Sequence, residues 1–552
     1  MTISKDRLQQ LLAKLKQPAP EQQPTVQTSS TTSQFLSVGK HGESISLNAE
    51  QASFVTMASR GESCVLIGAA GTGKTTCMRA TIESLCTSTR IPIITDGNHK
   101  YLPNAGVPGI VACSFTRRSV NNLRKAMPHG LERNCITIHK LLEFKPTKEV
   151  VTDPETQEEK IRKVFKPSRH QYNPLPSAIK VIIIDEASTV SVELFQMLTD
   201  ALEHEVQFIL LGDIQQLPPV MGSAILGFKM LEYPTTELTQ VYRQALESPI
   251  IKYATQIRNG LTFAVPSTIV EDSPKGKVTF HPWKKSIDSE EAKATFIHRF
   301  ILPALDAGEY DPLTDAILIP FNKAFGTIDI NAHIANHIAK KEERIVWEVI
   351  AGFNKLYFSV GDHVLYDRED ATIIAIERNP SYLGKRPQRE SQDLDYFGYS
   401  KTPQTQEELT EDEIHAQLDK LVLEEDPEDR VQAASHILTV RLDESDMEVQ
   451  ISSASELNSL LLSYALTVHK SQGSEWDKVF LILHQSHNTM IQRELLYTGV
   501  TRAAKELYCI CEKDTFVKGV KSQKVKGTTL AEKAEFFKGK LNEGKIPLFN
   551  KK

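Results

Sequence analysis

The residues best suited to chemistry run from Gly68 to Thr75. Gly68-Ala69-Ala70-Gly71-Thr72-Gly73-Lys74-Thr75 has two outer glycines followed by a lysine and a hydroxyl residue, the spacing of a phosphate-binding loop. Glycines let the backbone curl so that successive N–H groups point inward at a polyphosphate. Lys74 adds a mobile positive charge, and Thr75 offers an oxygen to Mg²⁺. A strand-like run, Ser63-Cys64-Val65-Leu66-Ile67, precedes the loop, and a helix-like run follows with its positive end toward the phosphates. The context argues against a chance match, and nucleoside triphosphate binding follows.

A second site of chemistry ends the apolar run Val181-Ile182-Ile183-Ile184, where two carboxylates, Asp185 and Glu186, come next. Runs of this kind read as buried parallel strands, whose C-terminal ends host ligands in open α/β sheets. Asp185 is placed to hold Mg²⁺, and Glu186 to orient or deprotonate an attacking water. Taken alone, the pair reads equally well as a solvated strand end. Beside a phosphate loop in the same chain, the catalytic reading is the stronger.

A third apolar run, Phe208-Ile209-Leu210-Leu211, ends in Gly212-Asp213-Ile214-Gln215-Gln216-Leu217-Pro218-Pro219. Asn48-Ala49-Glu50-Gln51 lies ahead of the phosphate loop. After it come Phe115-Thr116-Arg117-Arg118, Thr137-Ile138-His139-Lys140 and Gln240-Val241-Tyr242-Arg243. Thr467-Val468-His469-Lys470-Ser471-Gln472-Gly473-Ser474-Glu475 and Tyr497-Thr498-Gly499-Val500-Thr501-Arg502 follow. In that order, over residues 48 to 502, the chain resembles the superfamily 1 helicases. Within them it looks most like the 5′→3′ branch of RecD-type and phage Dda-type DNA helicases.

The resemblance implies two RecA-like, doubly wound parallel-sheet motor domains, an α/β fold with an inserted β-hairpin pin and an inserted Src-homology-3-like β-barrel. It implies ATP and Mg²⁺ as cofactors. Gln51 would read the adenine. Gly68, Gly71, Thr72, Gly73, Lys74, Thr75 and Thr76, with Gly473 and Glu475, would hold the nucleotide. Gln216 would sense the γ-phosphate, and Arg243 and Arg502 would act as arginine fingers from the far side of the cleft. Thr116, His139, Thr467 and His469 would line a single-strand groove, since hydroxyls and imidazoles suit phosphate contacts that position a strand without reading it. One departure weakens a carry-over: Arg117-Arg118 stands where the family uses small residues, beside Thr116.

The elements that must position these residues divide the chain as follows. Residues 1–40 join an amphipathic helix, with Leu8, Leu11, Leu12 and Leu15 on one face, to a linker rich in Pro, Gln, Ser and Thr. A docking peptide for a replication protein, such as single-strand-binding protein or a polymerase, and a helix packed back on the body both fit. The first motor domain takes 41–142 and 176–245. Between them, 143–175 reads as a hairpin, either a duplex-splitting pin or a surface decoration. The second motor domain takes 246–345 and 456–515, interrupted at 346–455 by the barrel. An acidic tract near 390–430 lies inside that insert and reads as solvated or as a gate on the groove. Residues 516–552 read as a lysine-rich tail that either holds nucleic acid or aids solubility.

Composition narrows the class. A length of 552 residues implies several domains, and a net charge of −6 makes any basic groove local. The seven cysteines show no CxxC spacing, which fits a reducing compartment without structural zinc. Cys509-Ile510-Cys511 reads as strand packing. With no membrane-length apolar run and no signal-peptide core, the expectation is a soluble, cytoplasmic monomer. Its partners would be single-stranded and fork DNA. The leading reading is an ATP-dependent DNA helicase moving 5′→3′. An RNA helicase or RNA–protein remodeller, and an ATP-switched loader without unwinding, are the rivals.

Overall fold

Val181–Ile184 is a run of four apolar residues, all buried, as a strand covered on both faces requires. Its neighbours in space follow the same logic. In chain order the first sheet uses β1 (Cys64–Gly68), β2 (Ile110–Ser114), β3 (Cys135–Thr137), β6 (Val181–Ile184), β7 (Gln207–Gly212) and β8 (Thr235–Leu238). They lie side by side as β8–β1–β7–β6–β2–β3, every pair parallel. Alternate residues feed opposite faces. Val65, Ile67, Ile182 and Ile184 join one apolar cluster, while Cys64, Leu66, Val181 and Ile183 join the other. The computed structural model describes residues 36–38, 44–94, 98–102, 106–128, 130–152, 159–220, 222–241, 247–261, 269–282, 288–323, 325–366, 369–382, 390–391, 394–397, 433–443 and 447–543.

Between β3 and β6 the chain forms the expected hairpin, β4 (Lys145–Thr152) against β5 (Glu159–Lys166), in unbroken antiparallel register from Lys145↔Lys166 to Thr152↔Glu159. The second large sheet runs β9 (Ile269–Ser273), β10 (Gly276–Pro282), β22 (Ala503–Cys511), β21 (Trp476–Leu483), β11 (Asp315–Ile319), β20 (Ala465–Thr467), parallel except for the β9–β10 pair. Cys509 and Cys511 are buried in it as packing residues.

The insert between β11 and β20 is wholly antiparallel. A sheet of β13 (Asn354–Phe358), β12 (Val346–Ala351) and β16 (Glu390–Ser391) faces one of five strands, β18 (Glu448–Ser453), β17 (Ala433–Leu442), β15 (Glu369–Arg378), β14 (His363–Tyr366) and β19 (Leu461–Leu462). Val349, Phe358, Val364, Ile373, Leu438 and Val440 form their shared core. The N-terminal amphipathic helix and most of the acidic tract lie outside the described residues.

The C-terminal reading needs correction. Instead of a tail, Lys513–Lys521 and Leu530–Asn542 are helices. The second begins at a capping box, Thr529 with Glu532, and returns to the first motor domain. Phe537 stacks edge-on against Phe228 at 5.1 Å, over Gly227, where any Cβ would lie 2.2 Å from its ring. Val525, Ala534 and Phe537 belong to the first domain's core. The excess of lysines hid this apolar face.

Candidate active site and strand-contact motifs

The phosphate loop curls where its sequence allows. Gly71 and Gly73 take φ of 78° and 83°, a region that glycine enters without cost, and Gly73 starts the helix Lys74–Cys86. Lys74 Nζ donates back to the carbonyls of Gly68 (2.7 Å) and Ala69 (3.1 Å), and Thr72 Oγ1 donates to Ala69 O (2.9 Å). Lys74, Thr75, Thr76, Asp185, Glu186 and Gln216 line one cavity of about 840 Å³. Its opposite wall is Gly473, Ser474, Glu475 and Arg502 from the second motor domain. The predicted residues therefore converge across the domain boundary.

Electrostatics in this cavity are poised. Burial, and next the charge of Glu186, push the Asp185 carboxyl well above the usual range, with Lys74 acting against the shift. Glu186 sits at φ 52°, a left-handed conformation costing about 1–3 kcal/mol in a non-glycine residue. Thr189 holds it there: its N–H (2.9 Å) and hydroxyl (2.8 Å) both donate to Glu186 O. Glu186 Oε2, Gln216 Oε1 and Ser474 Oγ are buried with no hydrogen-bond partner among the described residues. Such orphaned oxygens cost energy unless a ligand or water meets them. The Thr75 hydroxyl and Asp185 carboxylate are hard oxygen donors of the kind that suits Mg²⁺.

Two predicted nucleotide residues behave differently. Gln51 is fully buried; its Oε1 accepts from Asn48 N–H (3.1 Å) and its Nε2 reaches the carbonyls of Thr72 and Gly73 (3.4 and 3.5 Å). Through these contacts it braces the phosphate loop. Arg502 lines the cavity, but its guanidinium donates to Thr498 O (3.1 Å) and Ser474 O (2.9 Å). Arg243 lies outside the described residues.

Sequence reasoning missed the ties that hold the walls together. Tyr497 Oη donates to Asp213 Oδ2 (2.6 Å) and accepts from Ala70 N–H (3.2 Å), so one hydroxyl joins the second domain to two motifs of the first. Burial, then Asp213, raise its pKa and keep it protonated. Leu217 N–H donates to Thr498 Oγ1 (2.9 Å), and Gln472 Nε2 donates to Leu217 O (2.6 Å). The motif strings contained these residues, but nothing in the spacing singled out a phenol over its neighbours. Lys275 also reaches the cavity wall, without any sequence signal.

On the strand side the predicted hydroxyls are already engaged. Thr116 caps the helix Arg117–Ala126, accepting from Ser119 N–H (3.1 Å), and its Oγ1 lies 2.7 Å from Ser119 Oγ. Gly473, at φ 74°, packs against this cap; a Cβ there would lie 1.6 Å from Ser119 Oγ. Thr467 is buried and accepts from Lys470 N–H at 3.3 Å. The His139 ring lies 5.4 Å from Phe115 and 4.9 Å from Phe144. Burial, helped by Lys524, lowers the His469 pKa, favouring the neutral ring. Arg118, the departure from the family pattern, pairs with Asp370 of the insert and stacks over Trp476 at 4.6 Å. It serves as an interdomain clasp.

Parts of the chain match known families and proteins. A family model described as an AAA domain matches residues 51–222, and one described as a UvrD-like helicase C-terminal domain matches 462–510. The chain is 25% identical over 466 residues to an ATP-dependent RecD2 DNA helicase of Deinococcus radiodurans, covering 84% of this chain and 48% of that one. It is 23% identical over 360 residues to the RecBCD enzyme subunit RecD of Buchnera aphidicola subsp. Schizaphis graminum, covering 62% and 56%. The chain thus spans about half the length of these curated relatives. Among solved structures, a Pif1 helicase from Bacteroides in complex with ADP-AlF3 and ssDNA aligns with a TM-score of 0.44 at 16% identity, covering 90% of this chain and 98% of that one. Pif1 helicase from Candida albicans gives 0.41 at 15%, covering 90% and 99%.

A parallel sheet and a second, mostly parallel sheet meet at a cavity that holds a phosphate loop and a carboxylate pair, the arrangement of a two-domain nucleotide-binding protein. The two family models fall one on each sheet. The stretches they match carry the motifs by which the chain resembles the superfamily 1 helicases.

Proposed function

We propose that the protein is an ATP-dependent DNA helicase that moves 5′→3′ along single-stranded DNA and separates duplex ahead of it, in replication, recombination or repair. One observation carries the reading. Lys74, Thr75, Asp185, Glu186 and Gln216 from one motor domain share a cavity with Glu475 and Arg502 from the other. Phosphoryl transfer needs charge neutralisation and in-line placement of water, with no covalent protein intermediate. Lys74 neutralises the triphosphate, and Glu186 orients the water with its unpartnered oxygen. Thr75 and Asp185 would hold Mg²⁺, which would supply further charge neutralisation at the triphosphate. Arg502 reaches the transferred phosphate by leaving its two carbonyl partners, so hydrolysis tracks closure of the second domain on the first.

Force on DNA follows because the motifs facing the strand are built on the same elements. The loop from Thr467 to Glu475 begins at the strand groove and ends in the cleft, so a change at the nucleotide moves a strand contact. The hairpin Lys145–Lys166 serves as the strand-splitting pin, and the antiparallel insert as the Src-homology-3-like barrel of this branch. The N-terminal segment, through a partner such as single-strand-binding protein or a polymerase, directs a monomeric motor to its forks in the cytoplasm.

Strand displacement on matched forks, one with a 5′ single-stranded tail and one with a 3′ tail, tests this directly. Unwinding from the 5′ tail alone, dependent on ATP and lost in Lys74→Ala, is the expected result. Unwinding from the 3′ tail would reverse the direction, and DNA-stimulated hydrolysis without unwinding from either tail would remove the pin. Hydrolysis stimulated by RNA and not by DNA would replace the substrate.

A further inference from the structure

The threonine and the histidine read as first-domain strand contacts, Thr116 and His139, are engaged in a helix cap and in ring packing, but a loop beside them is not. Asn98–Leu102 approaches the short helix Ile138–Leu141 that carries His139 and Lys140. His99, 4% exposed, lies 2.8 Å from Leu141 O through Nε2, and its Nδ1 accepts from Tyr101 N–H and Leu102 N–H, each at 3.2 Å. Burial lowers its pKa, which suits the neutral ring this pattern needs. Glu143 accepts from Lys100 N–H (2.8 Å) and from Arg169 (2.9 Å), whose guanidinium also donates to Asn98 O. The loop is therefore fixed at His99 to the element that carries the second strand-contact motif, and at Asn98 and Lys100 to Arg169 and Glu143 beside it.

What the clamp holds out is an aromatic ring between two cations. Tyr101 is 37% exposed; Lys100 Nζ lies 5.2 Å from its centroid and Lys140 Nζ 5.7 Å. The same knot anchors the root of the hairpin, since Ser168 N–H and Arg169 N–H donate to Leu142 O at 3.1 and 3.2 Å. We propose that Tyr101 is a base-stacking platform for single-stranded DNA at the root of the hairpin, with Lys100 and Lys140 meeting the flanking phosphates. This rests on the nucleic-acid motor reading above. Stacking of a base on an aromatic face is stronger than an exposed ammonium–ring contact, so an incoming base displaces a lysine from the ring. The displaced ammonium is then beside the backbone of the same nucleotide. A ring fixed in advance loses little freedom on binding.

Fluorescence anisotropy of the full chain with a labelled oligothymidylate, without nucleotide, tests the platform. Tyr101→Ala should weaken binding about tenfold, within the range alanine substitution gives for one stacked base. Tyr101→Phe should bind like the parent, because the ring face and not the hydroxyl makes the contact. Lys100→Ala should lower the slope of log affinity against log salt by about 0.7. On an oligonucleotide of abasic residues, Tyr101→Ala and the parent should bind alike. Equal thymidylate binding by Tyr101→Ala and the parent overturns the platform alone, as does equal weakening by Tyr101→Phe. Absence of any single-strand binding by the parent overturns both the platform and the motor reading.

Discussion

In the nucleotide cleft, Glu186, Gln216 and Ser474 each keep a buried oxygen without a partner among the described residues; on the strand face, Thr116 and Thr467 accept backbone N–H bonds, and His139 packs between two phenylalanines. Both sets come from motifs of equal standing in the sequence. On the proposed function, the difference reflects what each side must hold. A triphosphate and its attacking water require directed polar groups before they arrive, and preorganisation is where catalytic stabilisation comes from. A sliding strand requires a surface of fixed shape, and a capped helix end or a packed imidazole supplies shape first.

That contrast can be broken at several points. Glu186→Gln keeps the size of the side chain and removes its charge; ATP hydrolysis should fall about 10²–10⁴-fold while binding of a fluorescent ATP analogue survives. Retained hydrolysis would mean that the unpartnered oxygen is not aimed at the reaction. Next in size is Tyr497→Phe, which strips Asp213 Oδ2 of its donor in a buried site. A loss of about 1–3 kcal/mol in denaturant unfolding is expected, because a buried acceptor left unmet costs more than the bond was worth. Unchanged stability would show that water replaces the phenol.

Lys533 offers a pH probe of the same region. It is buried, donates to Val525 O at 3.0 Å, and burial lowers its pKa to about 8 from 10.5, with Glu494 and Asp213 opposing. Between these two values the unfolded chain binds more protons than the folded one, so stability rises with pH there. Below about 8 both forms are protonated and the full penalty of burying the charge stands. The rise cannot exceed about 1.4 kcal/mol per pH unit. Lys533→Met should abolish it in thermal unfolding compared at pH 8 and pH 9.5. Smallest of all is Thr116→Ala. It should cost about 1 kcal/mol through the lost cap and change oligonucleotide affinity less than about threefold, below the effect of one lost stacking contact. A larger loss of affinity would return Thr116 to the strand.

Much of the cleft was legible because its chemistry fixes residue type and spacing together. Lys74, Thr75, Asp185, Glu186 and Gln216 come from ends of strands that announce themselves as apolar runs, and they meet as expected. The structural part of Gln51 went unread because its motif position is equally a capping-box position: Asn48 and Gln51 satisfy each other's backbone N–H groups. The C-terminal helix was unreadable for a different reason. Its apolar face is only a few residues wide, and Lys533, which a pattern reader counts as solvated, is buried. Tyr101 fell between motifs, and its context arises from Glu143 and Arg169, far apart in the chain.

The returning C-terminal helix has a mechanical consequence. The chain first crosses from one motor domain to the other between Leu238 and Pro249, and it crosses back between Lys521 and Leu530. Gln215 Nε2 bonds Thr528 O, and Lys524 N–H and Val525 N–H bond Glu494, so the return crossing is fastened on both banks. Two bodies joined at one point can swivel about three axes; joined at two points, they keep only the axis that runs through both. With Phe537 seated, the return crossing is a second tether between the domains, and it restricts the directions in which one can turn against the other.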